Sequence, residues 1–532
     1  MAFATARSLA LKGADGHVID VQVDVSPGLV STTIIGRVDK SLSESRDRVR
    51  MAINNGGGRW PATKRVTILL APADLPKGGT HYDLAIAVAV MAADKQHEEL
   101  QPEHLADWAF VGELSVSGGL RPVPGVLPMV IAAAAHGITR VFVPEPQASE
   151  AALVPGMTVF GVRSLAQVSA VLRDVEVPEA DPVVAPSASP LATWRGEDRL
   201  ADLDLRDLEG LEDVRYAVEV AAAGGHPTML IGPRGTGKTS IAERIPSILP
   251  DLSTEQALEV TALHSVAGTL PEGAGLLRRP PWFAPHHSAT AASVLGGGTG
   301  RVRPGQVSLA HHGVLFLDEF PHFRADVIEA MRQPLESGEV TIARGEESAT
   351  YPARSLVVLA ANPCPCGNFH GRSGGACECS EVQRLHYRRK LTGPILDRVD
   401  IWMEVRPQGR APSMFGPEAE SSDEVRARVT EARRRQALRF RHCPWLLNAS
   451  CPGPALAEHW PLEPEAQHAV DKELTAGTLT RRGLTRVQRL AWTVADCAGV
   501  ARPGPREAEI ALALRSVDPA RMLPADAVRV AS

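Results

Sequence analysis

Ile19, Val21, Val23 and Val25 alternate with Asp20, Gln22 and Asp24, the two-residue period of a strand with one buried face. Val66–Leu70 is a short apolar run that predicts a second strand. Tyr82–Ala93 and Val130–His136 predict helices, the latter closed by Gly137 ahead of a strand at Arg140–Val143. Residues 1–175 therefore read as a mixed α/β domain. Pro178, Pro182, Pro186 and Pro190 recur every four residues, which forbids a helix and predicts an extended linker over 176–204. From 205 to 405, short apolar strands alternate with helical stretches, the pattern of a parallel sheet covered by helices. A second linker is expected at 406–423, and 424–525 reads as helical. Leu484, Val487, Leu490, Ala491 and Val494 share one helix face, and Glu507–Val517 predicts a further helix.

Composition narrows the function classes. The 532 residues carry a net charge of −6, so any nucleic-acid surface has to be a local patch. Arginine outnumbers lysine 48 to 8, which lowers the weight of any one arginine cluster. Seven cysteines, four of them clustered, do not form a secreted disulfide framework. The first residues do not fit a signal peptide, and the longest apolar runs, such as Leu84–Ala93, fall short of the roughly 18 residues a membrane span needs. A soluble cytoplasmic protein without a membrane partner is expected.

The strongest chemical signal is GPRGTGKT, comprising Gly232, Pro233, Arg234, Gly235, Thr236, Gly237, Lys238 and Thr239. An apolar strand, Thr228–Ile231, precedes it and a helix, Ser240–Ile245, follows. In that context backbone N–H groups cradle phosphates, Lys238 neutralises the β/γ oxygens, and the Thr239 hydroxyl joins a Mg²⁺ shell. Eighty residues on, the apolar strand Val314–Leu317 ends in Asp318 and Glu319. Asp318 can hold Mg²⁺, and Glu319 can polarise a water for attack on the γ-phosphate; an isolated pair would more simply be a solvated strand end. A third strand, Leu356–Ala361, ends in Asn362, placed to orient that water, although Asn before Pro also forms turns. Arg398 follows a turn in GPILDRVDI, where it can complete a neighbouring subunit's site or pair locally with Asp397 or Asp400.

These segments, in order, together with APHHSATAASVLGGGTGRVRPGQ and MRQPLESGEVTIAR, resemble the magnesium-chelatase-like branch of AAA+ ATPases, and within it the YifB/ComM family. The resemblance spans nearly the whole chain. It implies a P-loop α/β core with a C-terminal helical lid, ATP and Mg²⁺ as cofactors, and a homo-oligomer, a hexameric ring, acting on single-stranded or branched DNA as a helicase or branch-migration translocase. It assigns Lys238 and Thr239 to Walker A, Asp318 and Glu319 to Walker B, Asn362 to sensor 1 and Arg398 to the arginine finger. Arg482 falls at sensor 2, where the usual Ser-Ala-Arg is replaced by Thr480, Arg481 and Arg482; Arg481 is a stand-in.

Residues 66–144 are similar to the Lon protease domain, implying a ribosomal S5 domain 2-like α+β fold. His81 stands where the Lon serine would be and Leu127 where its lysine would be, which removes the Ser–Lys dyad. Thr80 is adjacent without a lysine to activate it, and Lys77 in the PKGG turn reads as a solvated charge. The domain is expected to serve assembly or substrate guidance.

For substrate contact, GGGTGRVRPGQ reads as a flexible loop bearing Arg301 and Arg303, and Val340–Ala343 with Ser348–Tyr351 as a hairpin bearing Arg344 near its tip. In a ring both would face the pore, with loop solvation or intersubunit packing as the bland alternative. ARRRQALRFRH, near 432–442, is the densest basic run and carries Phe440. It would either track a nucleic-acid backbone or form a solvated helix face. The pairs His286–His287 and His311–His312 are expected not to share a metal, because adjacent residues point apart in regular structure. Cys364, Cys366, Cys377 and Cys379 form two Cys-x-Cys pairs, read as candidate zinc ligands with His370 as a substitute, or as free thiols or a redox switch. Cys443, Cys451 and Cys497 read as unconnected. The competing functions are a chelatase motor subunit, which ordinarily lacks the Lon-like domain and the cysteine pairs, and a protein remodeller.

Overall fold

The computed structural model describes residues 3–36, 39–73, 75, 77–94, 100, 102–184, 200, 202–208, 210–271, 273–298, 302–344, 347–369, 377–391, 395–406 and 420–515. Arg301, His370, most of both expected linkers (185–199 and 407–419), residues 516–525 and the side chain of Arg344 lie outside the described set.

The N-terminal strands are β1 (Phe3–Lys12), β2 (Asp15–Ser26), β3 (Ser31–Ile35), β4 (Arg65–Ala71), β5 (Trp108–Phe110), β6 (Arg140–Pro144) and β7 (Thr158–Val162). They form one mixed sheet in the order β3-β4-β2-β1-β5-β6-β7. Ile19, Val21 and Val23 of β2 are fully buried, as their alternation predicts. The helices are α1 (Lys40–Asn55), α2 (Asp83–Ala93), α3 (Val126–Ala135) and α4 (Leu165–Leu172). All of helix α2 but Ala92 is buried, and the helix is apolar on every face apart from its first residue. That residue, Asp83, is also buried, and Arg48 of α1 donates to it at 2.7 Å. Burial raises the Asp83 pKa, and the Arg48 contact opposes the rise. Lys77 corrects the expectation of a solvated turn lysine: it is 1% exposed and donates to the Pro72 carbonyl. Thr80 Oγ1 donates to Glu113, His81 is buried against Tyr82, and Leu127 is buried in α3.

The central sheet is wholly parallel. Its strands are β8 (Thr228–Ile231), β9 (Trp282–Phe283), β10 (Val314–Leu317), β13 (Leu356–Ala361) and β14 (Ile401–Glu404), in the order β9-β10-β13-β8-β14. Strands β11 (Glu339–Arg344) and β12 (Glu347–Pro352) form the expected hairpin. Gly296–Gly297 pairs with Arg303–Pro304, so the ends of the expected flexible loop are hydrogen-bonded strands; Arg303 is exposed. The hairpin is not free-standing. Ala349 and Tyr351 pack with Val302 and with Leu263 and Val266 of α7 (Thr254–Ala267), and Leu11 and Ala14 of the N-terminal domain join them. Helix α7 is the main dock for that domain. Gly125 N donates to Ser265 O at 3.1 Å, and Glu150 accepts from both the Ser265 hydroxyl and Leu127 N.

The C-terminal helices are α10 (Ser422–Arg439), α11 (Pro464–Thr475), α12 (Arg481–Ala498) and α13 (Pro505–Arg515), packed with α5 (Glu212–Gly224) and α6 (Lys238–Ile248) into one core. Arg433, Arg435 and Arg439 of the basic run on α10 turn inward, whereas Arg434 and Arg441 are exposed, so the run is neither a wholly solvated face nor a continuous basic track. Arg433 donates to Ala222 O at the end of α5, Arg435 to Asp496 O, and Arg439 to the buried Asp496 carboxylate. Phe440 is 2% exposed and sits edge-on to Trp460, so its ring is not available for stacking on a base. Cys497 packs against this helical core.

A candidate nucleotide site and a cysteine cluster beside it

The phosphate loop runs from the C-terminal end of β8 to the first turn of α6, at the same edge of the sheet as the ends of β10 and β13. Gly232 is required by close approach: a Cβ there would lie 2.2 Å from Val405 O. Gly237, at φ 86°, starts the helix from the left-handed region that L side chains avoid. Lys238 Nζ donates to Gly232 O and Pro233 O, each at 2.7 Å, and to Asn362 Oδ1 at 3.2 Å. Burial lowers the Lys238 pKa, Asp318 and Glu319 raise it, and Arg234 lowers it further. Thr239 Oγ1 donates to Asp318 Oδ2 at 2.9 Å, so the two oxygen ligands expected for Mg²⁺ already meet. Four of the expected residues, Lys238, Thr239, Asp318 and Asn362, are thus joined by two direct contacts.

Glu319 follows at φ 50°, a strained backbone for a glutamate and the kind of strain concentrated at working sites. Its carboxylate lies 3.3 Å from His287 Nδ1, which puts the APHHSAT segment beside the nucleotide site. The His286 and His287 rings lie against one another, tilted by 34° with centroids 4.1 Å apart.

The other histidine pair departs from expectation. His311 and His312 both place Nε2 3.0 Å from the same Glu259 oxygen, because His312 takes φ 57° and swings its ring back beside its neighbour. Burial pushes the His311 pKa down to about 4, whereas the two rings hold Glu259 well below the carboxylate range. His311 Nδ1 accepts from Arg354 N at 3.0 Å, so the neutral ring carries its proton on Nε2 and donates it to Glu259. That tautomer leaves no lone pair at Nε2 for a metal, and the group is a hydrogen-bonded brace.

Arg398 lies elsewhere. It precedes β14, whose Ile401 pairs with Thr228 at the start of β8, whereas the phosphate loop follows the far end of β8. Arg398 therefore sits on the opposite edge of the sheet, separated from its own phosphate loop by a strand of about 13 Å at 3.3 Å per residue. It pairs with Glu336. Burial lowers its pKa, and Arg332, Arg482 and Arg486 lower it further. Arg482, in the first turn of α12, is thus grouped with Arg398. Arg486 was not foreseen, although it lies one turn after Arg482 on the same helix face. Its Nε is 2.9 Å from Asp400 Oδ1, and Asp400 Oδ2 is 2.8 Å from His226 Nδ1. His226 Nε2 reaches Thr493 of α12 at 2.7 Å, tying the lid to the start of β8.

Cys364 follows Asn362 by two residues and is buried. The sulfurs of Cys364, Cys366, Cys377 and Cys379 lie within 4.8 Å of one another. Burial pushes the Cys364 thiol up to about 11, and the Asn368 backbone N–H holds Cys366 down to about 6.

Family models match in three blocks: magnesium chelatase subunit ChlI over residues 204–412, subunit ChlI of Mg-chelatase over 21–147, and the ChlI C-terminal region over 419–515. Fold and site together define an AAA+-type ATPase of the magnesium-chelatase class. Within that class the chain is 43% identical over 515 residues to a protein of Mycobacterium tuberculosis, covering 97% of this chain and 99% of that one. It is 38% identical over 501 residues to YifB of Escherichia coli (93% and 94%) and 36% identical over 502 to the competence protein ComM of Haemophilus influenzae (94% and 94%). It belongs to the YifB/ComM family. The match to a magnesium-chelatase 38 kDa subunit of Rhodobacter capsulatus covers only 29% of the chain, at 24% identity. The N-terminal block is itself matched by a ChlI model, so the expectation that this domain separates the chain from chelatase subunits is corrected; the extent of the match separates them instead. Among the described residues, no helix is long and apolar enough to cross a membrane.

Proposed function

We propose that the chain is a cytoplasmic, ATP-hydrolysing ring motor that moves or remodels DNA. The observation that carries the ring is the placement of Arg398 and Arg482 on the sheet edge opposite the phosphate loop. Arginines there serve a nucleotide held by the next subunit, in a head-to-tail assembly for which the family resemblance suggests six members. With nucleotide bound, Lys238 would leave its carbonyl partners for the β/γ-phosphates, and Thr239 and Asp318 would hold Mg²⁺, which would supply charge neutralisation at the phosphate oxygens. Glu319 orients the attacking water and takes its proton, with Asn362 beside it.

The DNA part rests on the likeness to a competence protein and on the exposed Arg303 of the strand pair Gly296–Gly297 and Arg303–Pro304; Arg301 and Arg344 stay candidates from the sequence alone. We assign the N-terminal domain a non-proteolytic Lon-like role in assembly or substrate guidance, supported by 25% identity over 146 residues to the Lon protease of Salinispora arenicola. The same likeness favours a second reading, a protein remodeller. The deciding measurement is ATPase rate without DNA and with single-stranded, duplex or branched DNA. Stimulation by one DNA form supports the motor; a rate indifferent to all three, with stimulation by an unfolded protein, transfers the reading to remodelling.

A further inference from the structure

We propose that Cys364, Cys366, Cys377 and Cys379 hold one zinc ion, and that the loop it pins is a prop for the phosphate loop. Four thiolates at zinc–sulfur bonds of about 2.3 Å stand about 3.8 Å apart along each edge of a tetrahedron. Here Cys364 Sγ lies 3.3 Å from Cys366 Sγ and 3.7 Å from Cys377 Sγ, and Cys366 Sγ lies 3.7 Å from Cys377 Sγ. These separations are far longer than the roughly 2.05 Å of a disulfide bond, and they fit a single ion at the centre.

The set is closed, with four protein ligands and no position left for substrate, as in structural zinc sites. Thiolate softness selects zinc over the magnesium that the nucleotide brings. The backbone closes the turn around the first pair, with Gly367 N–H donating to the Cys364 carbonyl at 3.0 Å.

The position of the loop gives the ion a task. Its first ligand is two residues beyond Asn362, whose side chain accepts from Lys238. Its turn at Gly367 presses on the phosphate loop: a Cβ on Gly367 would lie 2.9 Å from Arg234 Cγ. Phe369 is covered by the Arg384 guanidinium at 4.8 Å, fastening the loop to α9 (Glu381–Lys390). A four-bonded metal at the centre of these contacts holds Arg234 and Asn362 in register before nucleotide arrives. The ion takes no part in hydrolysis. This assignment uses the nucleotide-binding reading but not the DNA reading.

Elemental analysis of the full chain, purified under reducing conditions without chelator, is expected to give one zinc per chain. The double variant Cys366→Ser, Cys377→Ser is expected to lose it, and Cys443→Ser to keep it. Stripping zinc from the unmodified protein with a chelator should weaken binding of a fluorescent ATP analogue by about three- to tenfold, the size of one lost hydrogen bond, and added zinc should restore it. Absence of zinc with four titratable thiols, or disulfides among them, overturns the metal. One zinc per chain whose removal leaves nucleotide affinity unchanged overturns the coupling. Both results are read without DNA, so they stand apart from failure of the DNA reading.

Discussion

Two regions rich in arginine use it in opposite ways. On α10, Arg428 meets Glu219 and Glu420, Arg434 meets Glu431, and Arg439 meets Asp496. Carboxylates from its own chain answer these guanidinium groups, and the Glu219 contact raises the pKa of Arg428. Around Arg398 lie three other arginines, Arg332, Arg482 and Arg486; Arg398 pairs with Glu336, Arg332 with Glu329 and Arg486 with Asp400, and burial with the neighbouring arginines lowers the Arg398 pKa. The density of arginine along a sequence thus says little about where an anion binds. The balance of burial and neighbouring charge around each group says more: the Glu219 and Glu420 contacts outweigh burial at Arg428, whereas burial and the neighbouring arginines outweigh Glu329 at Arg398.

The largest effect should separate the two regions outright. Arg398→Ala is expected to lower steady-state ATPase by about 10³-fold or more, the range of an arginine acting in trans. Its melting temperature should change little. An unchanged rate would remove Arg398 from the nucleotide site. Arg439→Ala should do the reverse, leaving the Asp496 carboxylate buried and uncompensated at a cost of about 3–5 kcal/mol. Chemical denaturation would read that loss, while ATPase well below the melting temperature stays near the parent value.

Arg303→Ala tests the exposed hairpin charge. If Arg303 meets a phosphate, the slope of log affinity against log salt for single-stranded DNA falls by about 1. The smallest effect concerns Glu150, a carboxylate held between domains by Ser265 and Leu127. Burial raises its pKa against those hydrogen bonds, so the folded state favours the protonated form. Stability contributed by that proton is present at low pH and is lost as pH rises from the ordinary glutamate range through the raised value. Glu150→Gln, which keeps the acceptor without the charge, should flatten this dependence and raise the melting temperature at neutral pH by about 2 °C.

Much of the nucleotide site was legible because it is written in short segments. Thr228–Ile231, Val314–Leu317 and Leu356–Ala361 are apolar runs with polar residues at their ends, and the structure has strands at those bounds. The phosphate loop needs particular glycines at particular spacings, so its residues declare themselves. The basic run on α10 did not, because its partners Glu219 and Asp496 are distant in sequence and nothing local separates a solvated face from a packed one. His311 and His312 misled for a different reason. The argument from alternating directions holds for regular backbone, and the positive φ at His312 is set by tertiary contacts. The role of α7 was also hidden, since its two partners, the N-terminal domain and the Glu339–Pro352 hairpin, lie far from it in sequence on either side.

The placement of Arg398 across the sheet from Lys238 has a genetic consequence. On the head-to-tail reading, each subunit owns half of two sites, and no two-fold dimer can complete both halves of each partner. A chain lacking Lys238 spoils the site it carries, whereas a chain lacking Arg398 spoils its neighbour's. Two dead proteins, mixed, would regain activity at every boundary where an intact loop meets an intact arginine, and inheritance of one damaged copy would poison assemblies built mostly from sound chains.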